Sequence, residues 1–163
     1  MSTGHTLELQ LDDPAATAAL AARLAESQPQ GGAVVHLHGD LGAGKSTLAR
    51  AWLRHLGVQG TVRSPTYTLV ERYPLPGGRE ALHLDLYRIG DPGELEFLGL
   101  DEAAGALWLV EWPQRGAGAL PAPDLAVHLA IAGAGRAIRI DACSPTGRAW
   151  LDRLDDAALV TVS

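Results

Sequence analysis

Gly39-Asp40-Leu41-Gly42-Ala43-Gly44-Lys45-Ser46 satisfies the pattern G-x-x-x-x-G-K-[ST] of phosphate-binding loops, and Thr47 follows it directly. In this pattern the glycines let backbone N–H groups converge on phosphate oxygens, the lysine reaches the β and γ oxygens, and the hydroxyl ligates Mg²⁺. A glycine turn with a surface lysine is the simpler alternative. We predict that the stretch binds ATP and magnesium through Asp40, Leu41, Gly42, Ala43, Gly44, Lys45, Ser46 and Thr47.

The sequence on both sides of the loop favours the phosphate-binding interpretation. Ala33–Leu37 is a short apolar run rich in valine, which predicts a buried strand leading into the loop. After Ser46 an apolar stripe with helical spacing runs to Gly57, through Leu48, Trp52, Leu53 and Leu56. Lys45 is also the only lysine among 13 lysine and arginine residues. Strand, loop and helix therefore occur in the order that a phosphate site requires.

Length and composition predict one domain over residues 1–163, with an ordered core over about 5–155, because 163 residues with 47% hydrophobic content suffice for a single core. The net charge of −6 argues against a nucleic-acid-binding surface, so any contact with RNA is expected to run through a partner. Cys143 is the only cysteine, which fits a reducing compartment. Without a signal peptide or a bilayer-spanning segment, we expect a cytoplasmic protein and no membrane partner.

Periodicity and turn residues predict the remaining elements. We expect a three-layer α/β domain of the P-loop NTPase type, with a mostly parallel central sheet and antiparallel additions. The predicted helices are Pro14–Glu26, a short one capped by Asp91 that ends at Phe97, and Thr146–Leu154. The predicted strands are His5–Leu11, Tyr67–Tyr73 paired with Glu80–Leu86, Leu107–Val110, and a hairpin of Leu125–Ile131 with Arg136–Ile140.

Two acidic residues at the ends of predicted strands are candidates for the chemistry beside the loop. Glu111 ends the apolar run Leu107–Val110, and Asp85 ends a segment in which His83 shares its face. We predict that Glu111 holds magnesium and that Asp85 positions water or the γ-phosphate, and we assign no role to His83. With Lys45 these acids are the candidate catalytic residues, although an acid at a strand end is often merely solvated.

The choice between adenine and guanine also has a signal in the sequence. A G-protein reads guanine with an Asn-Lys-x-Asp segment, whereas this chain contains no asparagine and no second lysine. The sequence therefore favours ATP over GTP.

Four blocks of sequence together resemble a known family. They are GDLGAGKST at Gly39–Thr47, SPTYTLVERY at Ser64–Tyr73, HLDLYRIGDPGELEFLGL at His83–Leu100, and LVEWPQRG at Leu109–Gly116. In this order and spacing they resemble the bacterial TsaE (formerly YjeE) ATPases of tRNA threonylcarbamoyladenosine synthesis. The resemblance runs from about His5 to Leu154.

The resemblance implies an accessory ATPase that binds the TsaB–TsaD heterodimer and supports repeated turnover of the threonylcarbamoyl transferase. It implies Ser46 and Glu111 as magnesium ligands, Asp85 as a residue of hydrolysis, and Ser64–Tyr67 as a nucleotide-sensing switch. Trp112 would lie beside the site. By the same resemblance the base would bind near Gly135 and the N-terminal segment, where the match is poorer.

Two other functions are compatible with a phosphate-binding loop. A small-molecule kinase shares the loop and magnesium, but no arginine-rich lid segment is recognisable here. A nucleotide-gated interaction module would bind ATP without turning it over. No arginine stands in a motif that points at the site. Arg88 is the nearest candidate, but at the end of a strand it could equally face solvent, so we expect slow turnover by the isolated protein.

Overall fold

A computed structural model describes residues 6–66, 68–98, 100 and 105–161 of the chain. The strands are β1 (Thr6–Leu11), β2 (Ala33–His38), β3 (Val70–Leu75), β4 (Arg79–Asp85), β5 (Leu107–Glu111), β6 (Leu125–Ala132) and β7 (Gly135–Ala142). The α-helices are α1 (Pro14–Ser27), α2 (Lys45–His55) and α3 (Pro145–Thr161), and 3₁₀ helices form at Pro76–Gly78, Pro92–Leu98 and Pro113–Gly116.

The strands form one seven-stranded sheet in the order β1-β7-β6-β2-β5-β4-β3. The four central strands, β6, β2, β5 and β4, are parallel to one another. The flanking pairs β1–β7, β7–β6 and β3–β4 are antiparallel. The predicted parallel arrangement is therefore confirmed for the centre of the sheet, and the carboxyl ends of the four parallel strands meet at one edge.

Burial explains why the parallel strands occupy the centre. All five residues of β5 are buried, as expected for a strand covered on both faces. In β2 buried and half-buried residues alternate, and its buried set Ala33, Val35 and Leu37 lies on the face that carries Leu107 and Leu109. The strand leading into the glycine loop is thus held between two parallel neighbours.

The three α-helices of the described residues pack on the same face of the sheet. Leu24 of α1, Trp52 of α2 and Trp150 of α3 share one core with Val35 and Ile140 of the sheet. The rings of Trp52 and Trp150 meet edge to face at 5.8 Å. A separate, smaller core lies on the opposite face.

In the described part of the chain, that opposite face is covered by 3₁₀ helices and loops rather than by α-helices. Leu95 in Pro92–Leu98 packs there with Leu84 and Trp108. The expected three layers are therefore found only in part. The crossover from β4 to β5 carries Gly90, Pro92 and Gly93, which favour turns over an α-helix.

Local sequence signals place the starts of two helices as predicted. Asp13 caps α1 by accepting a hydrogen bond from the Ala16 amide at 2.9 Å, with Pro14 at the first helical position. Asp91 caps its helix through the Gly93 amide at 2.8 Å, but the helix is 3₁₀ and not α.

The pairing of β3 with β4 is confirmed, although β3 begins only at Val70. The preceding residues turn, with the Leu69 amide donating to the Pro65 carbonyl at 2.9 Å. The predicted ends at His5 and Tyr67 lie outside the described residues. Helix α3 extends beyond its predicted end at Leu154. Within the described residues no helix is long and apolar enough to cross a membrane.

Candidate functional site

The glycine loop occupies the turn between the end of β2 and the start of α2. Gly42 and Gly44 have φ values of 82° and 109°, which side-chain-bearing residues rarely adopt, so the loop conformation depends on these glycines. Gly44 is the N-cap of α2 and makes no side-chain cap hydrogen bond. The first turn of an α-helix has free N–H groups and a partial positive charge, so this end of α2 can receive a phosphate.

Lys45 is the first residue of α2 and is only 5% exposed. Its ammonium donates hydrogen bonds to the carbonyl of Gly39 and, at 3.1 Å, to that of Asp40. Burial lowers the pKa of Lys45 below its ordinary value, and the carboxylates of Glu111 and Asp85 act in the opposite direction. The ammonium thus rests on its own loop, from which phosphate oxygens could draw it.

The two predicted acids lie side by side at the carboxyl edge of the sheet. Asp85 pairs in register with Glu111, and Glu111 pairs with Leu37 just before the loop. Ser46 Oγ lies 3.0 Å from each carboxylate oxygen of Glu111. The structure therefore brings together the two residues predicted from sequence to bind magnesium.

The donor set around Ser46 and Glu111 fits magnesium. Both groups offer oxygen, and two neighbouring ligands of an octahedral Mg²⁺ at about 2.1 Å are separated by about 3.0 Å. In the described part of the chain no group of three or more His, Cys, Asp or Glu side chains forms a metal cage. A bound Mg²⁺ would therefore need phosphate and water oxygens as well, as it does with nucleotides.

Asp85 is the acid that contacts the segment predicted to act as a switch. Its Oδ1 accepts a hydrogen bond from the Tyr87 amide at 3.0 Å, and Thr66 Oγ1 lies 3.5 Å from its Oδ2. Thr66 is joined to Ser64 through a hydroxyl contact of 2.6 Å. The described part of this segment therefore reaches the second acid, and Tyr67 lies outside the described residues.

His83, to which sequence analysis assigned no role, lies directly behind Glu111. Its Nε2 is 2.6 Å from Glu111 Oε2, and both side chains are almost fully buried. The shared face of His83 and Asp85 on one strand was visible in the sequence, but which neighbouring side chain His83 would meet was not.

Two aromatic side chains, Trp112 and Tyr87, form a cluster beside Lys45. Lys45 Nζ lies 4.4 Å from the ring centre of Trp112, which in turn lies 4.9 Å from the ring of Tyr87. Trp112 adopts a left-handed backbone with φ 56°, a conformation uncommon for a bulky residue and more frequent near functional sites. This arrangement agrees with the expectation that Trp112 lies beside the loop.

The protein-family comparisons point to one family. The sequence model described as threonylcarbamoyl adenosine biosynthesis protein TsaE matches residues 11–138. The chain belongs to the TsaE family. Proteins of this family serve tRNA threonylcarbamoyladenosine biosynthesis, as the names of the relatives state.

Several TsaE relatives are similar over most of the matched region. The Haemophilus influenzae protein is 49% identical over 98 residues, which span 59% of this chain but only 61% of that protein. The Bacillus subtilis protein is 37% identical over 123 residues, or 74% of this chain and 75% of the relative. The crystal structure of Bacillus subtilis YdiB matches with a TM-score of 0.77 and 29% identity, covering 93% of this chain and 95% of that one.

In this TsaE family chain an arginine missed by sequence analysis lies at the rim of the site. The guanidinium of Arg115 stacks 5.1 Å from the ring centre of Tyr87 and 5.9 Å from that of Trp112. Arg88, named from sequence as the nearest arginine, is exposed. Arg115 belongs to the block LVEWPQRG, so the sequence draws attention to it. Its stacking could not be predicted, because the rings of Tyr87 and Trp112 come from separate segments.

Gly135 borders a small cavity beside the loop, of about 190 Å³, which Asp13, Thr47 and Arg136 also line. Arg136 donates hydrogen bonds to the carbonyls of Ala43 at 3.0 Å and Gly42 at 3.4 Å, and so ties the β6–β7 hairpin to the loop. This is the region in which the family resemblance places the base.

A second cavity, of about 840 Å³, lies near Trp108 and Asp124, where the central parallel strands begin. Asp124 is engaged structurally there, since its carboxylate accepts from the Val34 amide at 2.9 Å and from the Ser144 hydroxyl at 2.7 Å. The larger volume is therefore not the better candidate, because the loop and both candidate acids lie at the other edge.

Replacing Gly135 with alanine should destabilise the protein by about 1 to 3 kcal/mol, the usual cost of forcing a methyl group into a filled space. An added Cβ would lie 2.2 Å from the Leu11 carbonyl oxygen, so β1 and the hairpin would have to separate. Urea unfolding measures the effect, with Gly31→Ala as the control because a Cβ there meets nothing within 4 Å. Equal stability of the two variants would contradict the close packing of Gly135.

Proposed function

We propose that this chain is a magnesium-dependent ATPase of the P-loop type that works with the TsaB–TsaD heterodimer in tRNA threonylcarbamoyladenosine synthesis. The observation that carries the proposal is the contact of Ser46 with both oxygens of Glu111 at 3.0 Å. It places the hydroxyl that ends the phosphate-binding pattern against a carboxylate from a neighbouring parallel strand. Membership of the TsaE family supplies the pathway.

The phosphates would bind at the junction of the loop and α2. Free backbone N–H groups of the loop and of the first turn of α2 would donate to the phosphate oxygens, and the partial positive charge of the helix end favours the anion. Lys45 would leave the carbonyls of Gly39 and Asp40 and donate to the β and γ oxygens. The base would occupy the cavity lined by Gly135 and Arg136, next to Thr47.

Hydrolysis would depend on the two acids in different ways. Ser46 and Glu111 would hold magnesium, which neutralises phosphate charge and orients the triphosphate when it is bound. Asp85 would position the attacking water through Oδ2, the carboxylate oxygen that lies 3.5 Å from Thr66 Oγ1. Thr66 and its neighbours would report the state of the nucleotide by making or losing this contact.

Contact with tRNA would run through the partner proteins. A net charge of −6 leaves little capacity to neutralise the phosphates of RNA. The exposed Arg115 and the half-buried Trp112 offer a cationic and aromatic contact of the type enriched at interface centres. We place the activity in the cytoplasm, where the tRNA is modified.

The proposal is tested by ATP turnover with increasing amounts of TsaB–TsaD. The isolated chain should turn over at or below about 10⁻² per second, as unassisted P-loop switches do, and the partners should raise the rate to a plateau. Lys45→Ala with the full amount of TsaB–TsaD controls for contaminating ATPases.

Three outcomes would replace the proposal. A rapid isolated enzyme, or a rate indifferent to the partners, excludes the partner-stimulated mechanism. ATP binding without phosphate release in their presence indicates a nucleotide-gated module. Transfer of phosphate to an added acceptor, with little free phosphate, indicates a kinase.

ATP and ADP should bind at least about tenfold more tightly than GTP and GDP, the equivalent of one or two base-specific hydrogen bonds. The reason is the missing guanine-reading segment in a chain without asparagine. Displacement of a fluorescent ADP measures the preference, with inorganic triphosphate giving the affinity due to phosphates alone. Equal displacement by ATP and GTP would contradict it.

A further inference from the structure

Glu111 is a buried carboxylate with two contacts on opposite sides. Ser46 Oγ approaches both of its oxygens at 3.0 Å, and His83 Nε2 lies 2.6 Å from Oε2 alone. The His83 side chain is 0% exposed and that of Glu111 is 3% exposed. A carboxylate removed from water in this way requires hydrogen-bond donors, because leaving it unpaired is costly.

The two contacts differ in what nucleotide binding would do to them. Ser46 is on the side of the loop, where its oxygen is the proposed magnesium ligand. His83 is on β4. In the pairing of β4 with β5 it lies opposite Leu109, which precedes Glu111 by two residues. The residues on either side, Leu82 and Leu84, are fully buried in the opposite core, so the strand cannot easily shift. The histidine contact is therefore the one independent of the loop.

The other ring nitrogen of His83 shows which proton the histidine carries. Nδ1 is buried and has no hydrogen-bond partner in the described structure. A bare lone pair is better tolerated there than an N–H group without an acceptor, and Oε2 of Glu111 needs a donor. The neutral ring with its proton on Nε2 satisfies both requirements.

We infer that His83 is a positioning residue for the magnesium site: its Nε2–H holds Oε2 of Glu111 and leaves Oε1, which His83 does not contact, for the metal. The inference rests on the proposed function, in which Glu111 ligates magnesium. A donor behind a ligating carboxylate fixes its orientation, and loss of such a partner typically lowers metal affinity by about tenfold to a hundredfold.

The test compares His83→Asn with His83→Gln. The amide nitrogen of glutamine reaches about as far as Nε2, whereas that of asparagine reaches only about as far as Nδ1. For each protein the dissociation constant of ADP is measured with magnesium and with EDTA, together with the melting temperature. The control is His36→Asn, which changes a strand histidine on the opposite face of the sheet.

The asparagine variant should lose about tenfold or more of the magnesium-dependent gain in ADP affinity and bind as wild type does in EDTA. The glutamine variant should recover most of the gain, and the His36 variant should keep all of it. An asparagine variant that keeps the full gain overturns the inference. An equal loss with and without magnesium also overturns it, because that result indicates a packing role.

Two further results separate this inference from the function on which it rests. If wild type shows no magnesium-dependent gain, the metal assignment fails and the positioning role fails with it. The ¹⁵N shifts of the His83 ring in the nucleotide-free protein test the contact directly, even where a variant does not fold. A proton on Nε2 supports the inference, and a proton on Nδ1 alone overturns it while leaving the ATPase proposal intact.

Discussion

Lys45→Ala is expected to abolish ATP turnover and to weaken ATP binding by about tenfold to a hundredfold. A hydrogen bond between charged groups contributes about 1.5 to 3 kcal/mol, and each 1.4 kcal/mol is a factor of ten. Turnover suffers more than binding, because the ammonium is also needed where charge develops on the transferred phosphoryl group. Calorimetric titration and phosphate release measure the two effects.

The fold should survive this substitution, because the hydrogen bonds of Lys45 Nζ go to carbonyls of its own loop. The control is Arg50→Ala, which removes an exposed cation from the same helix. It should leave binding and turnover unchanged, and both variants should melt within a few degrees of wild type. Normal turnover by the Lys45 variant would remove phosphate binding at this loop from the proposal.

Asp85→Asn and Glu111→Gln should separate the roles of the two acids. Asp85→Asn should keep nucleotide affinity and lower turnover by about a hundredfold or more, because misplacing a reacting group costs about that much. Glu111→Gln should instead lose most of the magnesium-dependent gain in affinity, since an amide is a poorer magnesium ligand than a carboxylate. Both changes keep the size of the side chain, so packing is little altered.

Titrations of ADP with and without magnesium, together with single-turnover hydrolysis, distinguish the two variants. Asp152→Asn, an exposed carboxylate on α3, is the control for loss of a negative charge and should match wild type in both assays. Full magnesium dependence in the Glu111 variant would show that another group ligates the metal. Unchanged hydrolysis in the Asp85 variant would show that water is positioned elsewhere.

Much of the site was predictable because its signals are local in sequence. The turn at Gly42 and Gly44 requires left-handed φ values that glycine allows. Glu111 follows an apolar run and Asp85 ends an alternating segment, both typical of strands, and parallel strands bring their carboxyl ends to one edge. The closeness of Ser46 and Glu111, 65 residues apart, follows from these rules together.

The less predictable features depend on which side chains face one another across the fold. His83 meets Glu111 because β4 lies beside β5 in one particular register, and Arg115 stacks on Tyr87 because two segments cover the same face. The placement of all three α-helices on one face also came from the structure. Ile89 and Leu95 lie in the β4–β5 crossover and are apolar in the sequence. Only the structure shows that they are buried in the second core.

By itself, the sequence determined that the chain has a strand, a glycine loop and a helix in the order typical of phosphate-binding loops, with acids at the ends of later strands. It could do so because backbone conformation and strand burial depend on neighbouring residues and on short-range periodicity. The tertiary structure alone decided what stands behind those acids: a buried histidine on Glu111, a threonine on Asp85, and an arginine from the last hairpin on the loop. Such contacts join distant residues through strand register and packing, which no local pattern records.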